Sequence, residues 1–162
     1  MFDRSLHQVN ERLNRTLTRN QVLQQVTDQT RSKLQVSRAV IYYFYREWKG
    51  QVIIESLNQN RFSILGSTGA DDCFTEDYAQ QYLQGKILQI SDVGASGLDP
   101  CHLTFLASIN VQADLVAPII VQQRLWGLLA AHHHEMRPWS IADVEFIKNQ
   151  AQSLSTDLQQ MG

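Results

Sequence analysis

Two stretches of this chain, each broken by a short polar turn, set the strongest constraint on its fold. AVIYYFY, from Ala39, is followed across Trp48-Lys49-Gly50 by QVIIESL; VQADLVAPII, from Val111, is followed across Val121-Gln122-Gln123-Arg124 by LWGLLAAHH. Runs rich in β-branched and aromatic residues favour extended backbone, because such side chains pack well on a pleated surface. Each pair therefore predicts a hairpin, and a sheet built from them needs a helical layer over at least one face. Helices are legible at both ends. Residues 5–35 carry Leu6, Val9, Leu13, Leu17, Val22, Leu23, Val26 and Leu34, mostly at helical spacings. Thr18 or Asn20 could cap a second segment, so two helices or one broken helix are expected there. From Ser140 a capped amphipathic helix, with apolar Ile141, Val144, Ile147, Ala151, Leu154 and Leu158, runs to the end. Between the hairpins, Thr75 opens a short helix that Gly85 closes, KILQI reads as a strand, GASGLDP as a loop and CHLTFLASI as a helix. The order predicts an α+β domain: an antiparallel sheet with helices on one face and an irregular insertion.

With 162 residues, 43% of them hydrophobic, the chain can bury a core without disulfide or metal staples, and it reads as one domain over 1–162. Lys and Arg total 14 against 16 Asp and Glu, a net charge of −2 with the charges scattered, so neither nucleic acid nor a membrane is expected as a partner. No apolar stretch follows the first basic residues as a leader would require, which predicts a cytoplasmic protein. In that compartment the two cysteines, Cys73 and Cys101, are expected as reduced thiols rather than a bridge. Helices at both termini suggest a module excised from a longer protein.

The cysteines differ in setting. In Leu98-Asp99-Pro100-Cys101-His102, Asp99 reads as an N-cap and Pro100 as the first helical residue, which puts Cys101 in a first turn where backbone N–H groups favour thiolate. Burial as a small apolar residue is the competing reading. Cys73 follows Asp71 and Asp72, two carboxylates that raise a thiol's pKa, so it suits conditional rather than constitutive attack; as plain turn residues the pair would simply be solvated. His132, His133 and His134 close a strand, alternation putting His132 and His134 on one face. Spacing identifies no third ligand, so a hydrogen-bonding role is favoured over metal binding. Tyr42, Phe44 and Trp126 read as core, and LGSTGAD lacks the Lys-Ser/Thr of a phosphate loop.

Taken in order, AVIYYF, DDCF, YLQGKILQISD, GLDPCH, INVQADLVAPII, LWGLLAAHH and RPWSIADVEFI resemble a cyanobacteriochrome GAF domain, of the phytochrome superfamily, across Leu17 to Leu158. The resemblance implies a GAF fold: a central antiparallel sheet with the terminal helices packed on one face and a bilin pocket on the other. Cys101 matches the site of covalent bilin attachment, and His102 the histidine that stacks near the inner rings. Asp71-Asp72-Cys73-Phe74 matches the Asp-X-Cys-Phe motif of the dual-cysteine subgroup. Cys73 would then add reversibly to the central methine bridge, splitting the conjugation and moving absorption to short wavelength, and Asp71 would face the pyrrole N–H groups. His132 would lie near the far end of the chromophore or its propionates. Phe74, Lys86 and Asp114 complete the implied bilin contacts, although Asp72, Lys86, Gly94 and Asp114 depart from the usual Pro, Arg, Tyr and Asn. Lys in place of Arg loses a bidentate fork toward a propionate.

The resemblance thus implies a photoreceptor, not an enzyme. Phycocyanobilin or phycoviolobilin would switch between two colour states by Z/E isomerisation, and the terminal helices would relay the change to a downstream effector domain or kinase and support a homodimer. Two other readings compete: a GAF module for a small ligand such as a cyclic nucleotide, and a thiol redox enzyme acting on free methionine sulfoxide. The enzyme reading requires Cys73 and Cys101 to come within bridging distance.

Overall fold

A computed structural model describes residues 2–69 and 73–161, with the side chains of residues 2 and 3 left aside. In chain order the elements are α1 (Phe2–Leu34), β1 (Arg38–Arg46), β2 (Lys49–Leu57), α2 (Glu76–Leu83), β3 (Leu88–Ile90), α3 (Pro100–Ser108), β4 (Ala113–Val121), β5 (Arg124–His133) and α4 (Ile141–Met161). Five strands form one antiparallel sheet in the order β2-β1-β5-β4-β3. Both expected hairpins are present, and the second places β5 beside β1, at the centre of the sheet.

Strand alternation separates two cores. On one face Ile41, Leu115, Ile119, Leu129 and Ala131 meet Leu23, Leu34, Ile147, Ala151 and Leu154 from α1 and α4. On the other, Val40, Tyr42, Phe44, Val116 and Ala130 meet Ala79 and Tyr82 of α2. A smaller cluster of Ile90, Val93, Leu106 and Val111 seats α3 beside it. The α+β expectation holds, with one addition: α2 and α3 build a second helical layer opposite the terminal helices.

Three local expectations need correction. α1 runs unbroken for 33 residues. Thr18 does not cap anything; its hydroxyl donates to the Asn14 carbonyl one turn back, which leaves the helical backbone intact. The first apolar positions of α1, Leu6, Val9, Leu13 and Leu17, are exposed rather than core, and the buried face of the helix begins at Leu23. Ile141 is 85% exposed in the first turn of α4, ahead of the part of that helix that reaches the sheet. The start of α4 is nonetheless well capped: Ser140 Oγ accepts from the Asp143 N–H, and Asp143 Oδ2 accepts from the Ser140 N–H, both at 3.0 Å.

Candidate functional site

Between the sheet and the layer of α2 and α3 lies an apolar cavity of about 100 Å³, lined in part by Val40, Tyr42, Phe74, Tyr82, Phe105 and Val116. Its position follows from sequence. Val40, Tyr42, Val116 and Ala130 are alternate residues that must share one sheet face, and α2 and α3 roof that face.

The polar end of the cavity is built by register. Arg38 sits opposite His132 across β1 and β5, and His132 sits opposite Asp114 across β5 and β4, so three adjacent strands place the side chains in one row. All three are buried, Arg38 at 2% exposure and Asp114 at 3%. Arg38 donates from Nε to His132 Nδ1 at 3.0 Å, from Nη1 to the Phe62 carbonyl at 2.6 Å and from Nη2 to the Ile109 carbonyl at 2.9 Å. Because His132 Nδ1 accepts, the proton of the neutral imidazole sits on Nε2. Burial and the adjacent guanidinium hold His132 well below its ordinary pKa, so it is neutral. Nε2 faces Asp114 Oδ1 at 3.5 Å, too long for a hydrogen bond. Among the described residues that carboxylate oxygen has no hydrogen-bond partner, and neither has the hydroxyl of Tyr42. Burial pushes the Asp114 carboxyl up to about 7, against the pull of Arg38 and of the Leu115 N–H. Burial also lowers Arg38, to about 10, which leaves it charged at neutral pH.

At the mouth, Asp99 caps α3: its Oδ1 accepts the His102 N–H at 3.0 Å and its Oδ2 accepts the Tyr78 hydroxyl at 3.1 Å. Pro100 is the first helical residue, as expected, and Cys101 lies in the first turn. His102 lines the cavity edge-on to Tyr78, with ring centroids 5.7 Å apart, and burial lowers its pKa despite the opposing Asp99. Phe74 is clamped among Phe44, Trp48, Tyr78 and Tyr82. The Cys73 and Cys101 sulfurs are joined in a disulfide, with Cα atoms 5.8 Å apart. This corrects the expectation of two reduced thiols. The segment entering α2 meets the first turn of α3 at the cavity mouth, which brings together residues 28 positions apart, a proximity that no local pattern announces.

Of the expected site residues, Cys73, Phe74, His102, Asp114 and His132 line the cavity, and Cys101 sits at its rim bonded to Cys73. Lys86 is exposed and donates to Gln81 Oε1, away from the cavity lining. Asp71 lies outside the described residues. β5 ends at His133, so His134 does not share a strand face with His132; its Nδ1 meets the Ser37 hydroxyl and its ring packs on Phe62. Arg38 was missed. An arginine opening an apolar strand signals a buried ion, but its partners come from strands remote in sequence.

The model of the GAF domain matches residues 18–158. The chain belongs to the GAF family. This GAF domain is 76% identical over 161 residues to an uncharacterized protein of Picosynechococcus, covering 99% of both chains. It is 34% identical to the circadian input-output histidine kinase CikA of Thermosynechococcus vestitus, over 98% of this chain but only 23% of that kinase. Among solved structures it resembles the blue-light absorbing form of the PixJ GAF domain from Thermosynechococcus elongatus, with TM-score 0.86 and 29% identity over 92% of this chain and 89% of that one. It also resembles the phycocyanobilin-bound GAF domain of a cyanobacterial phytochrome, with TM-score 0.82 and 28% identity over 98% and 94%.

Proposed function

We propose that this GAF domain is a photosensory module that holds a linear tetrapyrrole, phycocyanobilin or phycoviolobilin, between its sheet and the α2/α3 layer. One observation carries the reading: two cysteines converge at the mouth of an apolar cavity whose floor holds a carboxylate oxygen with no hydrogen-bond partner among the described residues. A buried carboxylate left unpaired is costly, and a ligand with pyrrole N–H groups or positive charge would satisfy it. The likeness to a phycocyanobilin-bound domain supports the same ligand class.

When bound, the bilin supplies light absorption and Z/E isomerisation. The chain supplies the rest. Cys101, in the first turn of α3, is the permanent anchor, its sulfur favoured as thiolate by the helix start. Cys73 is the second, reversible sulfur, and its return to the thiol sets the long-wavelength state. His102 and Phe74 flank the ligand, while Asp114, Tyr42 and neutral His132 face its far end; Asp71 is a further N–H acceptor. Lys86, at the surface, is a counter-charge for a propionate that reaches solvent. Isomerisation would bear on the sheet and, through it, on α1 and α4, which pack on its other face. The signal would pass to an effector domain or kinase and a homodimer would form along the terminal helices, in the cytoplasm; no described helix is long and apolar enough to cross a membrane. The domain itself then catalyses nothing.

The test is co-expression with a bilin biosynthesis pathway, followed by denaturing electrophoresis and zinc-induced fluorescence. A fluorescent band is expected, and a colourless one overturns the reading. Cys101→Ala should abolish or greatly weaken covalent attachment. Cys73→Ala should retain pigment and lose the short-wavelength state; its persistence at full loading would overturn the second-linkage role.

The disulfide gives specific support to a second reading, a thiol redox enzyme of the methionine sulfoxide reductase kind. Thiol-dependent turnover of free methionine sulfoxide by the pigment-free chain would favour it. A cyclic-nucleotide ligand is disfavoured: no Lys or Arg is among the described cavity-lining residues, and Asp114 would repel a phosphate.

A further inference from the structure

We propose that Cys73 and Cys101 form a reversible redox site at the cavity mouth, a disulfide that a dithiol reductant must open before the cavity takes its ligand. The proposal rests on the bilin reading for the identity of that ligand, but its thiol chemistry stands apart from it.

Three observations converge. First, the bond joins the two sulfurs that bilin attachment would use, so in the oxidised chain neither is a nucleophile. Second, the bond ties the segment entering α2 to the first turn of α3, and these two elements roof the cavity. The cavity so closed holds about 100 Å³, whereas pockets for drug-sized ligands run to roughly 300–1,000 Å³. A ligand as long as a tetrapyrrole needs the roof to part, and the covalent tie opposes that. Across the same seam, the polar α2–α3 links among the described residues are the contacts of Tyr78 with Asp99 and His102, at 3.1 and 3.4 Å, which water can replace. Third, the bond is reachable: Cys101 is exposed and Cys73 half-buried.

The chemistry balances by thiol–disulfide exchange. One thiolate of a dithiol reductant attacks the protein disulfide and displaces one cysteine, which takes up a proton. The second thiol of the reductant, giving up its proton, resolves the mixed disulfide and releases the other cysteine. Both protein sulfurs end as thiols, the second taking up the proton the reductant gave, and the reductant, having lost two electrons, ends as its own disulfide. The reverse exchange with a disulfide-class oxidant closes the site.

The experiment uses the full chain from a host that makes no bilin, split into a diamide-oxidised and a dithiothreitol-reduced sample, each then desalted. Titration in denaturant should count no free thiols in the first and two in the second. Reduced thioredoxin-type dithiol protein should restore both. On adding phycocyanobilin, the oxidised sample should load at least tenfold more slowly by zinc fluorescence, and treating it again with dithiothreitol should restore the rate of the reduced sample. Equal loading of oxidised and reduced wild type, or two thiols surviving oxidation, would overturn the proposal. Chymotryptic cleavage at Phe74 supplies a readout free of bilin: faster cutting after reduction supports the redox gate, and identical cutting in both samples overturns it. A reduced chain that takes no bilin would sink the photoreceptor reading, while the cleavage comparison would still decide the gate.

Discussion

Arg38 is the residue on which the polar end of the cavity depends. It is a charge at 2% exposure whose donors hold His132 and two backbone carbonyls. Removing one member of such a buried set strands the others, at a cost of about 3–5 kcal/mol. Arg38→Leu is expected to lose stability on that scale in urea unfolding; a change below 1 kcal/mol would show that the row does not hold the fold. Asp114 carries a pH signature. Its carboxyl ionises near 3.8 in the unfolded chain and near 7 when folded. Between those values the unfolded state gives up its proton first, so this group costs stability as pH rises through that window, and the cost is constant above it. Asp114→Asn should therefore be little different from wild type at pH 4 and more stable at pH 8, where each kcal/mol recovered raises Tm by about 2–4 °C. Melting curves at both pH values check this, and a gap that does not widen with pH would place an ionised carboxylate in the fold throughout.

At the scale of elements, the meeting of β1 and β5 aligns the site. Gly127 pairs with Tyr43 there, and a Cβ at Gly127 would lie 2.3 Å from the Tyr42 carbonyl oxygen. That atom is backbone, so nothing can swing aside. Gly127→Ala should push β1 from β5 at a cost of about 1–3 kcal/mol, and it should disturb Tyr42 and the pairing of Arg38 with His132 farther along the same strands. Thermal unfolding measures the first effect, and slower bilin loading the second. The strands, α2, α3 and their caps were legible because each has local causes: branched runs, Thr75, Asp99-Pro100 and Gly85. The supposed break in α1 was misread because Thr18 and Asn20 are cap formers by type, yet Thr18 satisfies its hydroxyl within the helix. Helical spacing in α1 likewise said which residues share a face without saying what covers it.

Over the whole molecule, that uncovered face matters most. Leu6, Val9, Leu13 and Leu17 are each half exposed or more. They follow one another at spacings of three and four on a helix about 50 Å long, which suits self-pairing along α1. A second copy of the chain is the occupant we propose. Leu13→Lys should shift the protein from dimer to monomer in light scattering, and because the site is exposed in the single chain, monomer stability should change by no more than about 0.5 kcal/mol. An unchanged mass would remove α1 as the dimer surface. The Picosynechococcus relative is matched over 99% of its length, whereas the CikA kinase is matched over 23%. A domain of this kind therefore makes up nearly the whole of one relative and a fraction of a larger histidine kinase in another.

Local sequence sufficed for the hairpins, the caps of α2, α3 and α4, the family and, within the cavity lining, Cys73, Phe74, His102, Asp114 and His132, because each rests on local periodicity or on a motif of adjacent residues. Only the tertiary structure decided the row of Arg38, His132 and Asp114, the bond between Cys73 and Cys101, and the exposure of the first half of α1. Strand register made the row and the meeting of the segment entering α2 with the start of α3 made the bond, and both arise from contacts between segments whose separation along the chain carries no record of their distance in space.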